Sequence, residues 1–135
     1  MRAFLLPIGR ENYALPIEVI REVVPQPSVT PVPTAPESVC GLFNVRGEII
    51  PLLDTAALLG IGSVGRVAFA VVVESPAGPA GLAVSDLPRA VDLDDPVAEA
   101  DGEAATGTHA LGGGLVVMLD PARLIAPGRI RGIQP

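Results

Sequence analysis

The sequence predicts an all-β protein assembled from two similar halves. The first observation behind this is a succession of short apolar runs, each set apart by Gly, Pro or Asn, along most of the 135 residues. Many short strands at close spacing are the pattern of small barrels and sandwiches. The second is an internal repeat. Gly47-Glu48-Ile49-Ile50-Pro51-Leu52-Leu53-Asp54-Thr55-Ala56-Ala57-Leu58-Leu59 aligns with Gly113-Gly114-Leu115-Val116-Val117-Met118-Leu119-Asp120-Pro121-Ala122-Arg123-Leu124-Ile125 at an offset of 66 (113 − 47). Upstream, Glu18-Val19-Ile20-Arg21-Glu22-Val23 aligns with Asp86-Leu87-Pro88-Arg89-Ala90-Val91 at an offset of 68 (86 − 18). Leu, Val and Ala are common enough to produce either match by chance; the two nearly equal offsets together point to a duplicated β-unit.

Taken in order, Leu5 to Ile8 and Tyr13 to Ile17 flank Gly9-Arg10-Glu11-Asn12, which has hairpin chemistry. Val19 to Val24 forms a third run and leads into Pro25-Gln26-Pro27. The segment Thr30-Pro31-Val32-Pro33-Thr34-Ala35-Pro36 is too rich in proline for a helix or central strand and is expected to cross the surface in extended form. Gly41 to Val45 and Glu48 to Leu53 flank Arg46-Gly47, a second hairpin, with Gly47 supplying a positive φ. Pro51 inside that run implies an edge strand or a bulge. Asp54 to Gly60 reads as a helical turn or two, capped by Asp54 and stopped by Gly60. Val67 to Val73, Gly81 to Val84 and Arg89 to Leu93 are further strands; Asp94 to Gly107, acidic and small, reads as a loop with one frayed helical turn. Leu115 to Leu119 is the last strand, and Asp120 to Ile125 repeats the cap and turn.

The length suits one compact domain or two very small ones sharing a core. At this size a chain buries roughly 68% of the surface exposed when unfolded, which suffices without covalent staples. Hydrophobic residues make up 49% of the chain and aromatics 3%, so the core is built from Val, Leu, Ile and Ala. The net charge is −6, the nine basic residues are all arginine, and no basic stripe with interleaved aromatics occurs. A nucleic-acid partner is therefore not expected. Cys40 is the only cysteine, which excludes an internal disulfide and fits a reducing compartment. The opening Ala3-Phe4-Leu5-Leu6-Pro7-Ile8 is too short for a signal-peptide core, and no stretch approaches the roughly 18 apolar residues of a membrane span. The expectation is a cytoplasmic protein that does not insert into the membrane, and Met1 suggests an independent chain.

Residues 13–54 resemble the CheW-like domain family in order and spacing: Tyr13-Ala14-Leu15-Pro16-Ile17, then Val19-Ile20-Arg21-Glu22-Val23, then the proline-rich stretch, then Gly41-Leu42-Phe43-Asn44-Val45-Arg46-Gly47-Glu48-Ile49-Ile50-Pro51-Leu52-Leu53-Asp54. The last of these fits the family's pattern G-x-x-N-x-R-G-x-x-x-P-x-x-D. Downstream, Val71-Val72-Val73-Glu74, Gly81-Leu82-Ala83-Val84 and Val116-Val117-Met118-Leu119-Asp120 with Leu124-Ile125 also fit, so the resemblance extends over essentially the whole chain, 1–135, as one CheW-like domain. It implies two five-stranded SH3-like barrels around a shared hydrophobic core. It also implies a non-enzymatic adaptor that uses no cofactor and couples the cytoplasmic tip of a chemoreceptor to the regulatory domain of a CheA-type histidine kinase. The alternatives are a CheW-like scaffold in another pathway, such as motility, pili or other kinase signalling, and a small β-barrel ligand-binding module. Two departures stand out: the chain ends at Pro135, soon after the final turn, and the Glu99 to Gly112 segment is short and glycine-rich.

The candidate partner-binding residues are Ile20, Glu22, Val45, Arg46 and Gly47, with strand edges in the second half. Arg46 sits at a hairpin tip, where its guanidinium either forks onto a partner's carboxylate or carbonyls, or bonds to Glu22 and fixes its own loop. Glu22 lies among Ile20, Val23 and Val24; the favoured reading places it half-exposed at a binding groove, the other in an internal pair with Arg46. Ile20, Val45 and Leu42 either line an apolar groove for a partner helix or belong to the core, and core packing fits any one of them better. The acidic Asp92, Asp94 and Asp95 match no metal-loop spacing and read as a solvated loop. His109, the only histidine, has no nucleophile or carboxylate near it in sequence. Gly112-Gly113-Gly114 lacks the Lys and Ser/Thr of a phosphate loop. Asp54 and Asp120 hold equivalent repeat positions at helix starts, which suits capping better than catalysis.

Overall fold

A computed structural model of the chain describes residues 1–100 and 102–126. Pro135, at which a departure from the family pattern is noted above, lies outside that range. Ten strands are present: β1 (Arg2–Ile8), β2 (Glu11–Pro16), β3 (Ile20–Pro25), β4 (Val39–Val45), β5 (Glu48–Asp54), β6 (Phe69–Ser75), β7 (Gly78–Val84), β8 (Arg89–Asp92), β9 (Ala105–Leu111) and β10 (Gly114–Leu119). Two one-turn helices, α1 (Thr55–Leu58) and α2 (Pro121–Leu124), follow β5 and β10.

The strands form two five-stranded sheets, ordered β8-β1-β2-β10-β9 and β3-β6-β7-β5-β4. All-β architecture and five-strand units therefore match the expectation, but no backbone ladder joins β8 to β9 or β3 to β4. The units are curled sheets, not closed barrels. Each sheet also mixes the two halves of the chain. The first combines β1 and β2 with β8, β9 and β10; the second combines β6 and β7 with β3, β4 and β5. Two parallel ladders complete the exchange, Val117↔Tyr13 and Met118↔Ala14 between β10 and β2, and Leu52↔Gly81 through Asp54↔Ala83 between β5 and β7.

The repeat is visible down to its irregularities. β4 and β9 begin 66 residues apart, at Val39 and Ala105, and each carries one extra residue opposite its partner, Cys40 and Thr106. Each also receives an isolated bridge from the segment before it, Thr30↔Leu42 and Ala98↔Thr108. Gly41, the residue after the first bulge, has φ +153°, and a Cβ there would overlap the Thr30 carbonyl. The expected loop over Asp94 to Gly107 is corrected at its end, where Ala105 opens β9. Its Thr-Gly-Thr run lacks the apolar alternation that marks a strand. Pro51 is not on an edge strand, because β5 lies between β7 and β4. Leu42, opposite Pro51, directs its N–H and C=O to Thr30, so Pro51 points its ring nitrogen toward β7, where pairing starts only at Leu52. The missing donor is tolerated because no ladder needs it there.

Most inner strands are buried on both faces, which explains why they read as unbroken apolar runs. One face of β1, β6 and β7 points into a core between the sheets, containing Leu6, Ile8, Val71, Val73, Leu82 and Val84 and sealed by Leu58, Leu124 and Ile125. The alternate face fills the hollow of each sheet: Phe43, Val45, Ile50, Leu52, Ala70 and Val72 in one, Ala3, Leu5, Ala14, Val116 and Met118 in the other. Gly81 has no side chain because the Phe43 ring occupies that space.

Asp54 and Asp120 both cap helices, accepting from the Ala57 and Ala122 backbone N–H groups at 3.0 and 2.9 Å. Asp54 does more. It also accepts from the Ser63 hydroxyl at 2.8 Å and from the Val64 N–H at 3.1 Å, tying the glycine-rich crossover between the halves to the end of β5.

Because every sheet needs strands from both halves, residues 1–62 and 63–135 produced separately are expected to lack cooperative unfolding, and to regain the wild-type circular dichroism when mixed. A fragment that melts cooperatively alone would contradict the exchanged topology. Burial, reinforced by the negative charge of Asp54, pushes the Cys40 thiol from its ordinary 9.0 up to about 11. A raised folded-state value means the group's contribution to stability is complete below pH 9 and is lost as pH rises through about 11. Iodoacetamide at pH 8 should therefore label native Cys40 far more slowly than the urea-unfolded chain; equal rates would show an ordinary thiol.

Candidate interaction site

The Arg46-Gly47 turn is a two-residue hairpin loop with both residues left-handed, φ 51° and 86°. This is the type I′ geometry that matches strand twist. Gly47 adopts it freely. Arg46 does not, and a side-chain-bearing residue there carries a backbone cost. Asn44 offsets it, its side-chain oxygen accepting from the Gly47 N–H at 2.9 Å. At the equivalent place in the other half the two residues are Gly112 and Gly113, with φ 57° and 83°. An arginine thus stands where the repeat uses glycine.

From this tip the Arg46 Nε donates to Glu22 on β3 at 3.0 Å. β3 and β4 are the outer strands of their sheet, so the pair joins the tip to the opposite edge and closes by side chains what the backbone leaves open. A second linkage runs alongside: Arg21 donates to Glu48, the first residue of β5, at 3.1 Å and to Glu74 on β6 at 3.4 Å. A bulge makes both possible. Ile20 pairs with Val73 and Glu22 with Val72, leaving Arg21 as an extra residue and turning it and Glu22 toward charged partners. The Arg46 side chain is 78% exposed and that of Glu22 24%. The two terminal nitrogens of Arg46 have no partner among the described residues.

Of the five residues singled out in the sequence, Glu22, Arg46 and Gly47 come together here. Ile20, half-buried, packs against the core between the sheets. Val45, 3% exposed, points inward beside Phe43 and Ile50. Leu42 is half-buried on β4. Sequence reasoning missed Arg21, Glu48 and Glu74, and it missed Ile49, which is 61% exposed next to the charged network. No sequence signal marks Ile49: the repeat pairs it with Leu115, whose own exposure of 64% emerges only from the structure.

No group of three or more His, Cys, Asp or Glu residues suited to a metal ion exists among the described residues. Asp92 instead pairs with Arg2 at 3.4 Å. His109 is buried and its Nδ1 lies 2.8 Å from the Asp94 carbonyl, which can only accept, so Nδ1 carries the proton. It fills in one sheet the place that Phe43 fills in the other, 66 residues earlier. No helix among the described residues is long and apolar enough to cross a membrane.

Arg46, Glu22, Arg21, Glu48 and Glu74 thus form a charged side-chain network on the surface of an all-β fold. Residues 2–127 match the family model for the CheW-like domain, and the chain belongs to that family. It is 43% identical over 54 residues to the chemotaxis protein CheW of Helicobacter pylori, covering 40% of this chain and 33% of that protein. To the CheW of Thermotoga maritima it is 37% identical over 54 residues, covering 40% and 36%. These matched stretches span about a third of each relative's length. The crystal structure of the scaffolding protein TtCheW from Thermoanaerobacter tengcongensis superposes with a TM-score of 0.79 at 25% identity, covering 99% of this chain and 98% of that one.

The Arg46–Glu22 pair is too exposed to contribute more than about 1 kcal/mol to stability. A double-mutant cycle of Arg46→Ala and Glu22→Ala in urea unfolding is expected to give a coupling below that value; a coupling of several kcal/mol would make the pair a pillar of the fold.

Proposed function

We propose that this chain is a non-enzymatic coupling protein of a chemotaxis-type pathway, acting in the cytoplasm as one domain between the cytoplasmic tip of a chemoreceptor and the regulatory domain of a CheA-type histidine kinase. Membership of the CheW-like family supports the scaffold reading. The observation that carries the contact is the state of Arg46. Its backbone is held left-handed, one edge of its guanidinium is committed to Glu22, and the free terminal nitrogens are presented to solvent. That leaves a preoriented fork for a carboxylate or a pair of carbonyls on a partner. Ile20 and Glu22 on β3, Gly47 at the tip and Val45 behind it form or support the same contact. The mechanism is to hold receptor and kinase in fixed geometry, so that a receptor rearrangement biases the kinase between its states.

The test is the affinity of the wild type, Arg46→Ala and Glu22→Ala for the regulatory domain of the organism's own CheA-type kinases and for receptor fragments, with thermal unfolding measured in parallel. Arg46→Ala is expected to weaken at least one of these contacts about tenfold or more while the melting curve stays near wild type. Full affinity in both folded variants would remove these residues from the contact. Absence of wild-type binding to any such kinase would assign the scaffold to another pathway.

A further inference from the structure

At the far end of β3 from Glu22, the chain leaves one sheet beside the entry to β6 and the exit of β7. A cleft of about 480 Å³ opens there, lined by Gln26, Pro27, Arg66, Val67, Ala68 and Ser85. Its frame is fixed. The Gln26 N–H donates to the Ala68 carbonyl at 2.8 Å, and the Ala68 N–H to Val84 at 2.9 Å. The Ser85 hydroxyl donates to the Pro7 carbonyl at 3.1 Å and accepts from the Gly9 N–H at 3.3 Å, joining the cleft to the other sheet.

The groups left over are of one kind. Arg66 has no hydrogen-bond or ion-pair partner among the described residues, although the chain carries 15 acidic residues against nine arginines. The Gln26 side-chain amide is also unengaged, and its backbone is left-handed at φ 41°, a conformation that residues with side chains seldom adopt. No acidic residue lines the cleft, and Pro27, Val67 and Ala68 supply a small apolar wall. A guanidinium, a side-chain amide and small apolar groups lining one cleft are the groups that would receive a carboxylate on a short aliphatic stem.

We infer that this cleft is a carboxylate-binding site, with Arg66 as the charged anchor and Gln26 as the second donor. It is separate from the Arg46 tip and does not rest on the proposed coupling function. A carboxylate on a partner protein and a free small carboxylate share this chemistry.

The experiment is a titration of isotope-labelled protein, following the Arg66 Nε–H, the Gln26 side-chain NH2 and the Ala68 and Ser85 amides by nuclear magnetic resonance. One arm uses acetate, a second N-acetyl-aspartate amide as the protein-borne form, and a third chloride at equal ionic strength. Saturable shifts at these groups with either carboxylate, absent with chloride, are expected. Tighter binding of the aspartate derivative would assign the site to a partner's side chain, and equal binding to free carboxylates. Arg66→Gln, at an exposed position, should weaken binding about tenfold or more with the rest of the spectrum unchanged. Arg10→Gln, removing another unpaired exposed arginine, should not. Shifts that fail to saturate, that chloride reproduces, or that survive Arg66→Gln overturn the inference.

Discussion

The reciprocal exchange of strands between the two halves is the constraint on which the rest of this structure depends. Neither half owns a sheet. β1 and β2 need the parallel ladder to β10, and β6 and β7 need the parallel ladder to β5. Parallel neighbours cannot be joined by a tight turn, so these pairings close long loops and bring residues more than 25 positions apart into register. The core between the sheets follows from this, because strands central to each sheet, β1, β6 and β7, expose one face to it and the other to their own hollow. The crossover between the halves then has to be short and tied down. Asp54 meets that need by capping α1 and gripping Ser63 and Val64 together.

The same duplication makes the functional asymmetry readable. Both halves carry a two-residue left-handed turn between their last two strands, and both place a large apolar residue in solvent two positions beyond it, Ile49 and Leu115. Around Ile49, Glu22, Arg46, Arg21, Glu48 and Glu74 interlock. By the offsets of 66 and 68, the counterparts of Glu22, Arg46 and Glu48 are Ala90, Gly112 and Gly114. One hairpin end carries charge and a latch, and the other has the same geometry without them. A glycine at position 46 would satisfy the turn better than arginine, so the arginine is not there for the turn.

Much of the fold was legible because local chemistry and tertiary structure agree. Gly9 to Asn12 and Arg46-Gly47 read as hairpin connections, Asp54 and Asp120 as caps, and Val71 to Val73 as a strand, and the structure has each. β9 was not legible on its own terms: Thr106-Gly107-Thr108-His109 has little apolar alternation, and it becomes a strand because β10 offers a ladder and Ala98 a bridge. Only the repeat, extended backward from Gly113 to position 105, carried that information. The exchange of strands was likewise invisible, since an offset reports that two segments are alike and says nothing of which pairs with which. Pro51 misled for a related reason. The rule concerns one missing N–H, and whether a strand is central matters less than whether a neighbour asks for that particular donor.

The site was half legible for reasons of scale. Arg46, Gly47 and Glu22 belong to a contiguous pattern and a nearby strand, so their types and spacing announce them. Arg21 enters only through a β-bulge, a register event set by β6 on the other side of the crossover. Val45 shows the limit of sequence adjacency: it sits between two surface residues, yet strand alternation turns it into the hollow with Phe43, where it supports the tip from behind. The latch is therefore best understood as a consequence of curvature. An open five-stranded sheet, bent around its own apolar filling, brings its two outer edges close without hydrogen-bonding them. Charged side chains span the gap, and a gap closed by exposed ion pairs stays accessible in a way that a backbone ladder would not.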